Sequence, residues 1–195
     1  MRVWHKLTGL AVLTIAATGC LLKDTTHTWY LHPGGAVTWT VVEANVRSDA
    51  RAAADRTNEE LAYWESVRSG THDMAEAFRA LGAPPPRARI VRDEVPFMVT
   101  TDATFPALDH LGRQLIRQTG LAGASELVRD GDAWQWTMTI RDPHAPDSEP
   151  DPDNSILALT GSLETLKIVL ITGRFESAEG FTLSSDSRVA TFDEK

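Results

Sequence analysis

The chain has 195 residues, 42% of them hydrophobic and 24% charged, with a formal net charge of −8. That length and balance fit one folded domain and exclude disorder as the default state. The acidic excess repels phosphate backbones and anionic headgroups, so no nucleic acid is expected as a partner and no basic membrane face is available.

The chain opens with Met1-Arg2-Val3-Trp4-His5-Lys6. An apolar run from Leu7 to Ile15 follows, and Ala16-Ala17-Thr18-Gly19 leads to Cys20, the single cysteine. A short basic start, an apolar run and a small-residue site together read as a secretion signal. The 16 residues from Leu7 to Leu22 are interrupted by Thr8, Gly9, Thr14, Thr18 and Gly19. They fall short of the ~20 apolar residues that a spanning helix requires.

These residues resemble the lipobox signal peptides of bacterial lipoproteins, in which a small residue precedes a Cys that becomes the lipid-bearing N-terminus. The resemblance implies a signal peptide over 1–19, lipidation of Cys20, and an anchor and tether over 20–26. It departs from the family at Ala17, where Leu is preferred. Leu21 follows the Cys in place of the Asp of an inner-membrane retention signal. That implies a cell-envelope location, on the outer membrane facing the periplasm or at the cell surface where the host has two membranes. Cleavage before Cys20 would leave 176 residues carrying 17 basic and 27 acidic side chains. No second thiol exists, so no internal disulfide can form.

Residues 27–195 read as a single domain. Thr28-Trp29-Tyr30-Leu31 and Val37-Thr38-Trp39-Thr40-Val41-Val42 flank His32-Pro33-Gly34-Gly35, which predicts a β-hairpin. Val37, Trp39 and Val41 share one face. Ser48-Asp49 offers an N-cap to a helix from Arg51 to Val67 with Leu61, Trp64 and Val67 as its buried stripe. A second helix is expected from His72 to Leu81, with Met74, Phe78 and Leu81 inward and Gly82 as its stop.

Arg87 to Thr101 reads as two short strands with Pro96 at an edge or bulge. A third helix is expected from Phe105 to Gln118, with Leu108, Leu111 and Leu115 facing the core and Gly120 ending it. Ser125–Arg129 and Trp134–Arg141 flank Asp130-Gly131-Asp132, a second hairpin signal. The segment 142–155 carries five acids and several prolines and reads as a flexible loop. Strands over 166–172, 181–183 and 189–192 close the chain as a meander. The expected class is α+β, a mainly antiparallel sheet built from hairpins with about three helices on one face.

No catalytic motif stands out. The histidines at 27, 32, 72, 110 and 144 lack the close spacing of a zinc site. Asp109-His110 pairs an acid with a base, but adjacent helix residues diverge by about 100°. Ser162 lacks the Gly-x-Ser-x-Gly elbow. No Gly-rich phosphate loop exists, so no cofactor is implied. Asp147, Glu149, Asp151 and Asp153 could offer alternate carboxylates to Ca²⁺, but Pro stands where a calcium loop places Gly. Trp29, Trp39, Trp134 and Trp136 would stack on sugar rings or grip lipid if they lined a concavity, while period-two spacing favours sheet core.

The first hairpin and Ile171-Thr172-Gly173-Arg174-Phe175-Glu176-Ser177-Ala178-Glu179-Gly180-Phe181 are similar to LppM-type lipoprotein domains. That resemblance implies a sheet-plus-helix fold and an envelope role, and it supplies no catalytic residues. The expectation is a lipid-anchored envelope protein acting as a non-enzymatic interaction or ligand-binding module. Its partner would be an envelope protein, lipid or glycan. The alternative is an envelope hydrolase using a site such as His110 with Asp109.

Overall fold

The computed structural model describes residues 20–119, 122–131, 133–141 and 165–193. Twelve elements follow in order among them: β1 (Leu21–Leu31), β2 (Val37–Ser48), α1 (Ala53–Ser69), α2 (Asp73–Ala80), β3 (Arg87–Arg92), β4 (Phe97–Phe105), α3 (Leu108–Thr119), β5 (Ala122–Asp130), β6 (Ala133–Arg141), β7 (Thr165–Leu170), β8 (Thr182–Leu183) and β9 (Val189–Asp193). The class is α+β. Seven strands form a mostly antiparallel sheet in the order β3-β4-β2-β1-β7-β9-β8, and β5-β6 forms a separate ribbon. β7 lies parallel to β1, which makes the sheet mixed and the C-terminal part more than a meander.

The first hairpin organises the sheet. β1 and β2 pair from Leu31↔Val37 to Leu21↔Ser48, around a turn where Gly35 takes a φ of 84°. Alternation sends Val37, Trp39, Val41 and Glu43 of β2 to one side, where all four are buried. A bulge around Asn45 shifts the register with both β1 and β4, and Asn45 adopts a φ of 55°. One extra residue restores the parity, so Val46 and Ser48 still point inward. Phe97, Val99, Thr101, Ala103 and Phe105 of β4 continue the same dry face. The opposite face carries Thr26, Thr28, Thr38, Thr40, Thr100 and Asp102, all half-buried, with no helix over it among the described residues.

Two apolar clusters cover the dry face. Trp29, Trp39 and Phe105 pack with Phe78 of α2 and with Leu108, Leu111 and Leu115 of α3. Val46, Phe97 and Val99 pack with Tyr63 and Val67 of α1. The β5-β6 ribbon sits on α3, with Trp136 against Trp29 at a ring separation of 5.9 Å.

Several expected boundaries move. The expected tether over 20–26 is strand: β1 begins at Leu21, because Val46-Arg47-Ser48 supplies a partner that local sequence does not reveal. Ser48 ends β2 rather than capping a helix, and its hydroxyl accepts the Ala50 N–H. On α1 the buried residues are Tyr63 and Val67, while Leu61 is 51% exposed and Trp64 is half-buried. The helix is rotated from the expected stripe because the Tyr63 hydroxyl reaches a buried carboxylate. Phe105 belongs to β4, paired with Val37, and α3 starts three residues later.

The α3–β5 contact is tight. A Cβ on Gly112 would lie 2.1 Å from Ser125 Oγ and 2.6 Å from its Cβ. A helical Gly→Ala change gains about 1 kcal/mol of propensity, but overpacking here costs about 1–3 kcal/mol. Gly112→Ala should therefore lower the melting temperature by a few degrees (about 2–4 °C per kcal/mol at this size) in a calorimetric scan. A rise would mean that the ribbon is not seated on α3.

Candidate functional site

A polar layer lies between the two apolar clusters. Glu43 is only 1% exposed because the alternation of β2 places it on the dry face beside Val41. An unpaired carboxylate there would be costly. It accepts hydrogen bonds from Lys23 Nζ of β1 and, at 3.0 Å, from the Tyr63 hydroxyl of α1. Burial raises the Tyr63 phenol far above its ordinary range, and the Glu43 charge and hydrogen bond add to it, so the phenol stays a neutral donor.

Two histidines flank this pair. Trp39 Nε1–H donates to His27 Nδ1 at 3.1 Å. Burial, with the Lys23 charge behind it, lowers His27 to about 4. His72 precedes α2 and lies 2.8 Å from Thr101 Oγ1 through Nε2. Burial lowers its value too, against the pull of the Glu43 charge. His72 Nδ1 has no partner among the described residues. The layer holds the groups of an acid–base site, but Glu43, His72 and His27 are 1%, 3% and 6% exposed. Their hydrogen-bond partners are Lys23, Tyr63, Thr101 and Trp39, so the arrangement fixes register and helix placement rather than presenting a reactive group.

A solvent-open concavity lies elsewhere, between α1 and the edge strand β3. It encloses about 540 Å³ and is lined by Trp64, Val67, Arg68, Ala88, Ile90, Val91 and Asp93. That volume is within the range of small-molecule and peptide sites. Arg68 stacks over the Trp64 ring at 4.6 Å, which keeps the indole in place at the rim.

The residues singled out from sequence are dispersed. Cys20 is exposed and lies at the head of β1. Its N–H donates to Asp49 Oδ1 at 2.5 Å and its carbonyl accepts the Asp49 N–H at 3.0 Å. The four tryptophans do not line one concavity. Trp29 and Trp39 are 2% and 5% exposed and pack edge to face at 5.4 Å in the core. Trp136 is half-buried and donates to Ser125 Oγ at 3.0 Å. Trp134 is 56% exposed near the ribbon tip, 5.8 Å from the Arg129 guanidinium. Their period-two spacing reflects burial on a pleated face, which ends before Trp134.

Asp109 and His110 do not form an acid–base pair. The carboxylate accepts from Arg113 Nη1 at 2.6 Å and from the His110 main-chain N–H at 2.8 Å. Burial works to raise Asp109, but the Arg113 hydrogen bond and charge outweigh it and hold the carboxyl low. Asp147, Glu149, Asp151, Asp153 and Ser162 lie outside the described residues. No group of three or more metal-ligating side chains converges among the described residues. No described helix is long and apolar enough to cross a membrane.

Sequence reasoning overlooked Glu43 and Tyr63, and it set His27 and His72 aside on spacing. One signal was available: the face that holds Val37, Trp39 and Val41 has Glu43 as its next member, which demands a buried partner. No family model matches the chain, no curated protein is similar to it, and no solved structure matches its fold.

The histidines set a pH dependence. Their folded values lie below the unfolded value of 6.5, so the native state resists protonation that the unfolded state accepts. Stability is full above about pH 6.5 and falls as pH drops toward 4, by an upper bound of about 3 kcal/mol for His27. Thermal scans from pH 7.5 to 4.5 should show this loss, and His27→Gln should flatten it in part. Tyr63→Phe should cost about 1–2 kcal/mol at pH 7 through the lost bond to Glu43; no change would show that the bond is not formed.

Proposed function

We propose that this chain is a lipid-anchored cell-envelope protein that serves as a non-enzymatic interaction or ligand-binding module. The attachment is a lipid on Cys20, which becomes the N-terminus once residues 1–19 are removed. The lipobox resemblance supports that reading, and Cys20 is exposed at the head of the first strand, where a lipid could be carried. The folded domain then follows its anchor without slack. β1 starts at the next residue, and Asp49 clasps Cys20 through both backbone groups. Such a domain stands close to the membrane surface, its reach limited to about one residue length, roughly 3.5 Å.

The observation that carries the module reading is the open groove between α1 and β3. It is lined by five apolar side chains together with Arg68 and Asp93, while the histidines and the tyrosine with displaced pKa values sit in the buried layer. An enzyme needs such groups to converge on an accessible pocket; a binding surface needs shape and a few anchors. A hydrolase built on Asp109 and His110 has little support, because Arg113 occupies the carboxylate.

Metabolic labelling with palmitate tests the attachment. The wild-type chain should take up label and fractionate with membranes. Cys20→Ala should stay unlabelled and lose the lipid-dependent membrane attachment. A wild-type chain that never incorporates palmitate would overturn the anchored reading.

A further inference from the structure

The groove opens along a sheet edge, and this determines what fits it. β3 stands first in the strand order, paired with β4 on one side only. Its outer main-chain groups face no strand among the described residues, and such an edge is a template for one more strand. Ala88 and Ile90 are half-buried toward α1, whereas Arg87 and Arg89 are exposed and pair in register with Asp102 and Thr100 of the open face.

A strand added beside β3 would continue that alternation. Its residues level with Ala88 and Ile90 would enter the groove against Trp64 and Val67. The exposed Val91 (58%) widens this apolar floor. Its residues level with Arg87 and Arg89 would lie beside two guanidinium groups. The nearby acid on that face, Asp102, is already engaged by Thr40 and Arg89. Arg68 adds a third guanidinium to the groove lining, which also includes Asp93, in a chain whose net charge is −8. The arginines also repel a second copy of β3, which disfavours edge-to-edge self-association.

We infer that the α1/β3 groove binds an extended peptide of alternating acidic and apolar residues, added as an outer strand next to β3. This rests on the interaction-module reading and goes beyond it by naming the ligand class. Main-chain pairing supplies a sequence-independent part of the affinity. Trp64, Ile90 and Val91 select apolar side chains on one side, and Arg87 and Arg89 select carboxylates on the other.

The test uses isotope-labelled full chain in detergent, titrated with a capped peptide of alternating Glu and Leu long enough to span β3. Saturable amide shifts should map to residues 87–91 and to the Trp64 indole. Binding should weaken about tenfold, roughly one charge-assisted contact, in the double variant Arg87→Gln/Arg89→Gln, whose remaining spectrum reports an intact fold. A peptide with Lys in place of Glu should bind comparably more weakly. Methylation of every peptide amide should abolish binding. Shifts confined to another face, no saturable binding, or equal binding of the Lys or methylated peptides would overturn the inference. Absent palmitate labelling with intact peptide binding removes the anchor and leaves the groove; normal labelling with no shift at β3 removes only this inference.

Discussion

The structure depends on the meeting of Trp29 and Trp39 across the β1–β2 ladder. The two indoles are directly paired in register and pack edge to face, and Trp39 also meets Phe78 and Phe105 while Trp29 meets Trp136. Each such ring buries about 150–250 Å² and brings geometric preference with it. One aromatic contact therefore ties the first hairpin to α2, β4 and the β5-β6 ribbon. It also makes the sheet one-sided: helices and ribbon gather on the tryptophan face, and the threonine-rich face carries no helix among the described residues.

That one-sidedness explains the buried polar layer. A strand as long as β2 (Val37–Ser48) carries its inward stripe past the tryptophan cluster, and Glu43 falls on it. Lys23 and Tyr63 make the carboxylate tolerable, and the bulge around Asn45 returns Val46 to the core beyond it. α1 docks where it does because Tyr63 must reach Glu43. Docking Tyr63 and Val67 inward turns Leu61 and Trp64 outward, and that rotation opens the groove beside β3. The candidate binding surface is thus a consequence of satisfying a buried charge.

Parts of this were legible in the sequence. The Pro-Gly-Gly and Asp-Gly turns located both hairpins, since turn chemistry is local. Phe78, Leu108, Leu111 and Leu115 declared themselves by helical spacing. Leu21 to Thr26 did not read as strand, because Asp24, Thr25 and their neighbours are shaped by a partner strand well downstream, with Asp24 opposite Ala44 and Thr25 opposite Glu43. The parallel pairing of β7 with β1 is a long-range choice with no local signature. The four tryptophans looked alike in sequence and proved to be core, rim and surface. Burial depends on where the covering elements stop, and period alone does not encode that.

Cys20 gives an expected address, and the groove gives an expected working surface. Site-specific photo-crosslinking in native envelopes addresses both together, with the reactive group placed at Val91 in the groove or at Thr40 on the open face. The account predicts a discrete peptide or protein adduct from position 91 in the membrane fraction, absent from position 40 and diminished in the Arg87→Gln/Arg89→Gln background. Adducts from position 40 alone, or equal adducts from both positions, would contradict it.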